Sequence, residues 1–265
     1  MSSGSGCAFR TRLLVASACL AVATAATACG AAATHAGPTG TVWPAGTSAA
    51  TSTSAPGSVA RALAALPVKG RAPKTGYDRS NFGQAWTDDV SVPGGHNGCD
   101  TRNDVLRRDL TAVTIRPGTH GCLVVSGTLD DAYTGRRIPF LRGESTSAYV
   151  QIDHVVALSN AWQTGAAQLS KETRQNFAND PANLWAVDGS ENESKGDGDA
   201  ATWLPPNKQL RCLYVARQVA VKTAYRLWVT PAEGAAISRI LRSCPDERLP
   251  TQAQWATPAV GRTGR

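Results

Sequence analysis

The sequence predicts a single mixed α+β domain with few strands, flanking helices and two disulfides. Three observations lead there. Extended stretches at residues 121–127, 137–141 and 148–156 are interleaved with segments of helical period. Residues 61–246 have the length of one domain and can bury a real core. Four cysteines, Cys99, Cys122, Cys212 and Cys244, fall inside that span.

The ends read differently. Arg10 and Arg12 precede an apolar run from Leu13 to Ala28 that closes on Ala26-Thr27-Ala28. A basic start, an apolar centre and small residues before a cut site mark a secretory signal, here residues 1–28. The run is too short and too rich in alanine for a membrane span. Cys29 follows at the place where bacterial lipoproteins are lipidated, so it is a candidate lipid anchor and the one route to a membrane. Ala26, where such signals favour leucine, departs from that pattern, and plain release after Ala28 fits as well. Residues 29–60 are an Ala/Thr/Ser/Pro-rich linker that buries too little to order itself, and 247–265 read as a flexible polar tail.

Within the domain, residues 100–110 read as a helix with Val105, Leu106 and Leu110 on one side. Gly121 and Gly127 bound the first strand, and Tyr133-Thr134-Gly135 is a turn before the second. Residues 159–168 form a helix, and Ser170 caps another that reaches Ala178, where Asn179-Asp180-Pro181 breaks the chain. Pro205 and Pro206 precede a long helix over 208–227, and a last helix over 232–242 brings Cys244 back towards Cys212.

An even number of cysteines in an exported chain implies disulfides, and four allow three pairings. Proximity in sequence favours Cys99–Cys122 and Cys212–Cys244. Zinc is the competing reading, but the close Cys-x-x-Cys spacing is missing. The net charge of +7 and pI near 9.2 suit a polyanionic partner such as nucleic acid without identifying one.

The chemistry concentrates between Asp153 and Lys195. An extended segment closes as I-D-H-V-V-A-L-S, and N-L-W-A-V-D-G-S-E-N-E-S-K follows some thirty residues later, with Asn192 nine residues after Asn183 and Lys195 three after that. This resembles the HNH, or ββα-metal, nuclease motif, in which a strand carries Asp-His and a following short helix presents the last ligand. Many members have His where Asn192 stands. Tyr77-Asp78-Arg79, Phe82-Gly83, Trp86, residues 98–103, Tyr133-Thr134-Gly135 and Trp203-Leu204-Pro205-Pro206 extend the similarity to exported actinobacterial HNH-family proteins. Those share a domain also found at the C-terminal end of GmrSD-type restriction endonucleases. The resemblance implies a secreted endonuclease acting on DNA, or RNA, that leaves a 5′-phosphate.

The chemistry suits those residues. A phosphodiester repels nucleophiles and has a poor leaving group, so hydrolysis needs a base and a cation. His154, with an ordinary pKa of about 6.5, is the expected general base. Asp153 and Asn192 are the expected oxygen ligands of Mg²⁺ or Mn²⁺. Strand alternation puts the side chains of Asp153 and His154 on opposite faces. Asn183 is expected to pin the loop through backbone bonds, and Lys195 to sit near phosphate.

Blander roles stand beside these. An isolated Asp-His pair is ordinarily a salt bridge or a satisfied core histidine. Lys195 is equally well a solvated loop residue. Asp188, Glu191, Glu193, Asp197 and Asp199 miss the EF-hand spacing and read as loop solvation or helix caps. His96 and His120 lie in glycine-rich turns as bystanders. Arg102, Arg107 and Arg108 form a basic helix face that is either solvated or in contact with phosphate. Trp86, Trp162, Trp185, Trp203 and Trp228 read as core anchors. The competing functions are a cell-surface nucleic-acid binder without catalysis and a peptidase; the latter lacks His-Glu-x-x-His.

Overall fold

A computed structural model describes residues 57–144 and 146–255. The signal at 1–28, Cys29 and nearly all of the linker lie outside the described residues. Helices and strands alternate along the chain as α1 (Val59–Ala65), α2 (Thr101–Asp109), β1 (Leu110–Ile115), β2 (Val124–Asp130), β3 (Arg137–Leu141), β4 (Val150–His154), α3 (Leu158–Gln163) and α4 (Lys171–Asn179). They continue with β5 (Leu184–Asp188), α5 (Gly189–Lys195), α6 (Arg211–Ala224), α7 (Pro231–Leu241) and α8 (Gln252–Trp255). Strands β1-β2-β3 form one antiparallel sheet, and β4 and β5 form a separate antiparallel pair.

Local chemistry starts the helices where the sequence places them. Asp100 accepts from the Asn103 amide to open α2, and Ser170 does the same from Thr173 for α4. Thr230 and Glu233 form a reciprocal capping box behind Pro231 at the start of α7. The first predicted strand moves from 121–127 to Val124–Asp130, because the chain around Gly121 turns at φ 79°. The predicted helix over 159–168 splits at Gly165, φ 129°, into α3 and a short 3-10 turn. The long helix stops at Ala224, three residues early, and Arg226 at φ 54° turns the chain.

Strands β1 and β5 are absent from the sequence expectations. Leu110 starts β1, although the apolar pattern carries the helix through it. All five residues of β5 are buried, so no polar alternation announces it. The reason is visible in the packing. On one face of the β4–β5 pair, Val150, Ile152, Leu184 and Ala186 join the core under α2 and the three-stranded sheet. On the other, Trp185 and Val187 join the core of α1, α6 and α7.

The domain also reaches past 61–246 at both ends. Ser58 caps α1, Val59 is fully buried, and its amide donates to the Glu247 carbonyl at 3.0 Å. Ser58 bridges to Arg248, so at least the first residues of the expected tail are pinned by the expected linker. Both favoured disulfides are present: Cys99–Cys122 ties α2 to the approach to β2, and Cys212–Cys244 ties α6 to the end of α7. Among the described residues no helix is long and apolar enough to cross a membrane.

Candidate active site

The site is built where α5 lies across β4. Gly189 starts the helix so close to the preceding turn that a Cβ there would come within 2.0 Å of the Ala148 carbonyl oxygen. Asp188 caps it, accepting from the Ser190 and Glu191 amides, and is itself anchored by Arg136. Asn192 then lies over Gln151, donating to its Oε1 at 2.7 Å, and Lys195 lies over Asp153. Three helical residues advance about 4.5 Å and two strand residues about 6.8 Å. The long lysine spans that mismatch.

Asp153 is almost fully buried, and both of its oxygens are occupied. Oδ1 accepts from Lys195 Nζ at 2.8 Å and Oδ2 from the Tyr133 hydroxyl at 2.5 Å. Burial and the neighbouring carboxylate push the Tyr133 hydroxyl well above its ordinary pKa, so it stays a donor. Lys195 also donates to the His154 carbonyl at 2.9 Å, and its side chain has no exposed surface. The direct phosphate contact expected of Lys195 is therefore missing from this geometry. Its charge compensates Asp153 from behind.

His154 points the other way along the strand. Nε2 lies 2.9 Å from the Ala178 carbonyl oxygen, at the end of α4, and the ring stacks on Trp86 at 5.9 Å. A carbonyl only accepts, so in the neutral ring Nε2 carries the proton and Nδ1 keeps its lone pair. Burial, then the positive charge of Arg79, lowers the His154 pKa to about 4. The ring is neutral at ordinary pH, as a base must be.

Asn183 is fully buried. Its Oδ1 accepts from the Val156 amide at 2.8 Å, and Nδ2 reaches the Val156 and Phe177 carbonyls at 3.3 and 3.4 Å. These bonds hold the turn that leaves β4 directly after His154. Residues 155–183, with α3 and α4, separate the two paired strands, so the pair is no tight hairpin.

Asp153, His154 and Asn192 border one polar cavity of roughly 460 Å³, together with Arg79, Trp86, Arg102, Gln151 and Asp197. Asn192 Oδ1 has no hydrogen-bond partner among the described residues. Burial raises the Asp197 carboxyl, but bonds from Ser159 and Lys74 outweigh it and hold the pKa below the usual range. His96 and His120 stand apart from this cavity, as does the Arg107–Asp104 pair.

Four of these residues escaped the assignment of roles, and Trp86, read as a core anchor, packs against the core and also stacks on His154. Arg79 and Tyr133 lie in the shared motifs but carry no local sign of their part. Gln151 was findable, since it sits two positions before Asp153 on the same strand face. Ala178 acts through its backbone carbonyl, which no side-chain pattern reveals.

The family described as "GmrSD restriction endonucleases, C-terminal domain" matches residues 100–240, more than half of the chain. A protein of Arthroderma benhamiae (strain ATCC MYA-4681 / CBS 112371), described as "Uncharacterized secreted protein", is 38% identical over 184 residues, covering 69% of this chain and 82% of that relative. No solved structure matches. The chain belongs to the family of the GmrSD restriction endonuclease C-terminal domain, a nuclease-related family.

Proposed function

We propose that this chain is an exported, metal-dependent endonuclease of the HNH type that hydrolyses phosphodiester bonds in DNA, and in RNA where it is offered. One observation carries the reading: His154 Nε2 is committed to the Ala178 carbonyl, which leaves Nδ1 as the basic nitrogen of a residue that borders one cavity with Asp153 and Asn192. The family and the basic charge support a nucleic-acid substrate. Two disulfides and the secreted relative support an oxidising compartment.

The donor set is compatible with a hard divalent cation. Asn192 Oδ1 is unengaged, and each Asp153 oxygen accepts one hydrogen bond and retains a second lone pair. Two protein oxygens suit Mg²⁺ or Mn²⁺ that keeps most of its water. Bound there, the cation would stabilise charge on the phosphate and on the departing oxygen. His154 Nδ1 takes the proton of the attacking water. The Ala178 carbonyl fixes the tautomer and orients the ring, and Trp86 holds its face. Lys195 and Tyr133 keep the Asp153 carboxylate in position, and Asn183 holds the backbone that follows His154.

The test is product formation. The mature protein should nick supercoiled plasmid in Mg²⁺ or Mn²⁺ and stop on addition of EDTA. Metal-independent binding without products would instead favour a nucleic-acid-binding protein on the same fold.

A further inference from the structure

The cations of this face divide into two groups. Lys195 is paired with Asp153, Lys74 with Asp197, Arg71 with Asp199, and Arg136 with Asp188. Arg79 and Arg102 differ. Both border the polar cavity, and neither forms an ion pair with any described carboxylate. Arg79 makes no side-chain hydrogen bond to a described residue, and Arg102 makes one, at 3.3 Å, to the Val150 carbonyl.

Arg102 is moreover held at a cost. Burial, and then the like charge of Arg142, push its pKa down from the ordinary value. Arg142 is itself engaged by Asn103 and the Val124 carbonyl and does not relieve it. The cavity's two carboxylates, Asp153 and Asp197, already have cation partners. Two guanidinium groups without a direct ion-pair partner among the described residues therefore border the cavity that holds His154, Arg102 feeling only the through-space attraction of Asp100. Guanidinium binds phosphate oxygens with short, charge-assisted bonds, and a low-dielectric wall strengthens them.

We propose that Arg79 and Arg102 are the phosphate-binding arms of this cavity, gripping the nonbridging oxygens of a polynucleotide phosphate beside His154. This rests on the nuclease reading for its substrate and replaces Lys195 as the direct phosphate contact. A diester phosphate carries one negative charge and its transition state about two, so a pair of cations fits the transition state better than the ground state.

Binding tests the assignment without activity. A labelled single-stranded 12-nucleotide DNA is titrated in EDTA against the wild type, Arg79→Gln, Arg102→Gln, the double variant, and Arg137→Gln as a control on the exposed, Asp130-paired strand β3. The double variant should lose at least tenfold in affinity, and its slope of log K against log salt should shrink by about 0.7, the value for one phosphate contact on a single strand. Arg137→Gln should change neither. Inorganic phosphate, followed by NMR of the arginine Nε–H groups, should shift Arg79 and Arg102. Equal losses in Arg137→Gln and the double variant, or no loss in either, would overturn the proposal. If phosphate shifts both arginines but DNA does not bind, the anion site stands and the nuclease reading fails.

Discussion

His154 Nε2 and the carbonyl oxygen of Ala178 lie 2.9 Å apart, linking the end of β4 to the end of α4 inside the protein. This contact fixes the ring, while burial and then the charge of Arg79 outweigh it and keep the ring neutral. A histidine buried neutral has a consequence for stability. The unfolded chain takes up a proton at His154 near pH 6.5, whereas the folded chain does so only near pH 4. Its contribution is full above the unfolded value and declines as pH falls from about 6.5 to about 4. Urea midpoints at pH 7 and pH 4.5 should fall further for the wild type than for His154→Ala. Parallel declines would contradict the depressed pKa.

Lys195 should matter to folding. Its replacement by Met leaves Asp153 buried with only the Tyr133 hydroxyl for a partner. Breaking a buried pair in this way costs about 3–5 kcal/mol. Denaturant titration should show that loss. A Lys195→Met protein of unchanged stability but weaker DNA binding would restore the direct phosphate contact.

Gly189 sets the approach of α5 to β4. In Gly189→Ala, the new methyl meets the Ala148 carbonyl and pushes the helix off the strand. The expected cost is about 1–3 kcal/mol. Because Asn192 and Lys195 ride on that helix, plasmid nicking should fall more steeply than stability. Equal thermal midpoints and rates would show that the contact is easily relieved.

The Cys212–Cys244 bridge closes a loop between α6 and α7. Replacing both cysteines with serine should cost about 3 kcal/mol, since a loop of this length restricts the unfolded chain substantially. Thermal unfolding of the double variant against the wild type measures it. An unchanged midpoint would mean that the core shared by α1, α6 and α7 holds that end alone.

Much of this was legible in the residues. Asp100, Ser170 and Pro231 announced their helices because caps act through local hydrogen bonds. The cysteine pairs followed from proximity. Strand β5 stayed hidden because cores cover both of its faces, which erases alternation. In the site, Asp153, His154 and Asn192 were found by motif and do border one cavity. The burial of Lys195 was not foreseeable, since an S-K-G segment in a polar loop gives no sign that α5 turns that side chain inward. Arg79 lies 75 residues before His154 in the chain, and only the fold brings its charge to bear on that ring.

The central claim is that His154 is the base, and one comparison tests it most directly. Plasmid nicking in Mg²⁺ by the wild type is set against His154→Ala, with DNA binding of both measured in EDTA. The account predicts a rate at least about 10²-fold lower for the variant, the scale of a lost general base, with affinity within about twofold. Undiminished nicking by His154→Ala would contradict it.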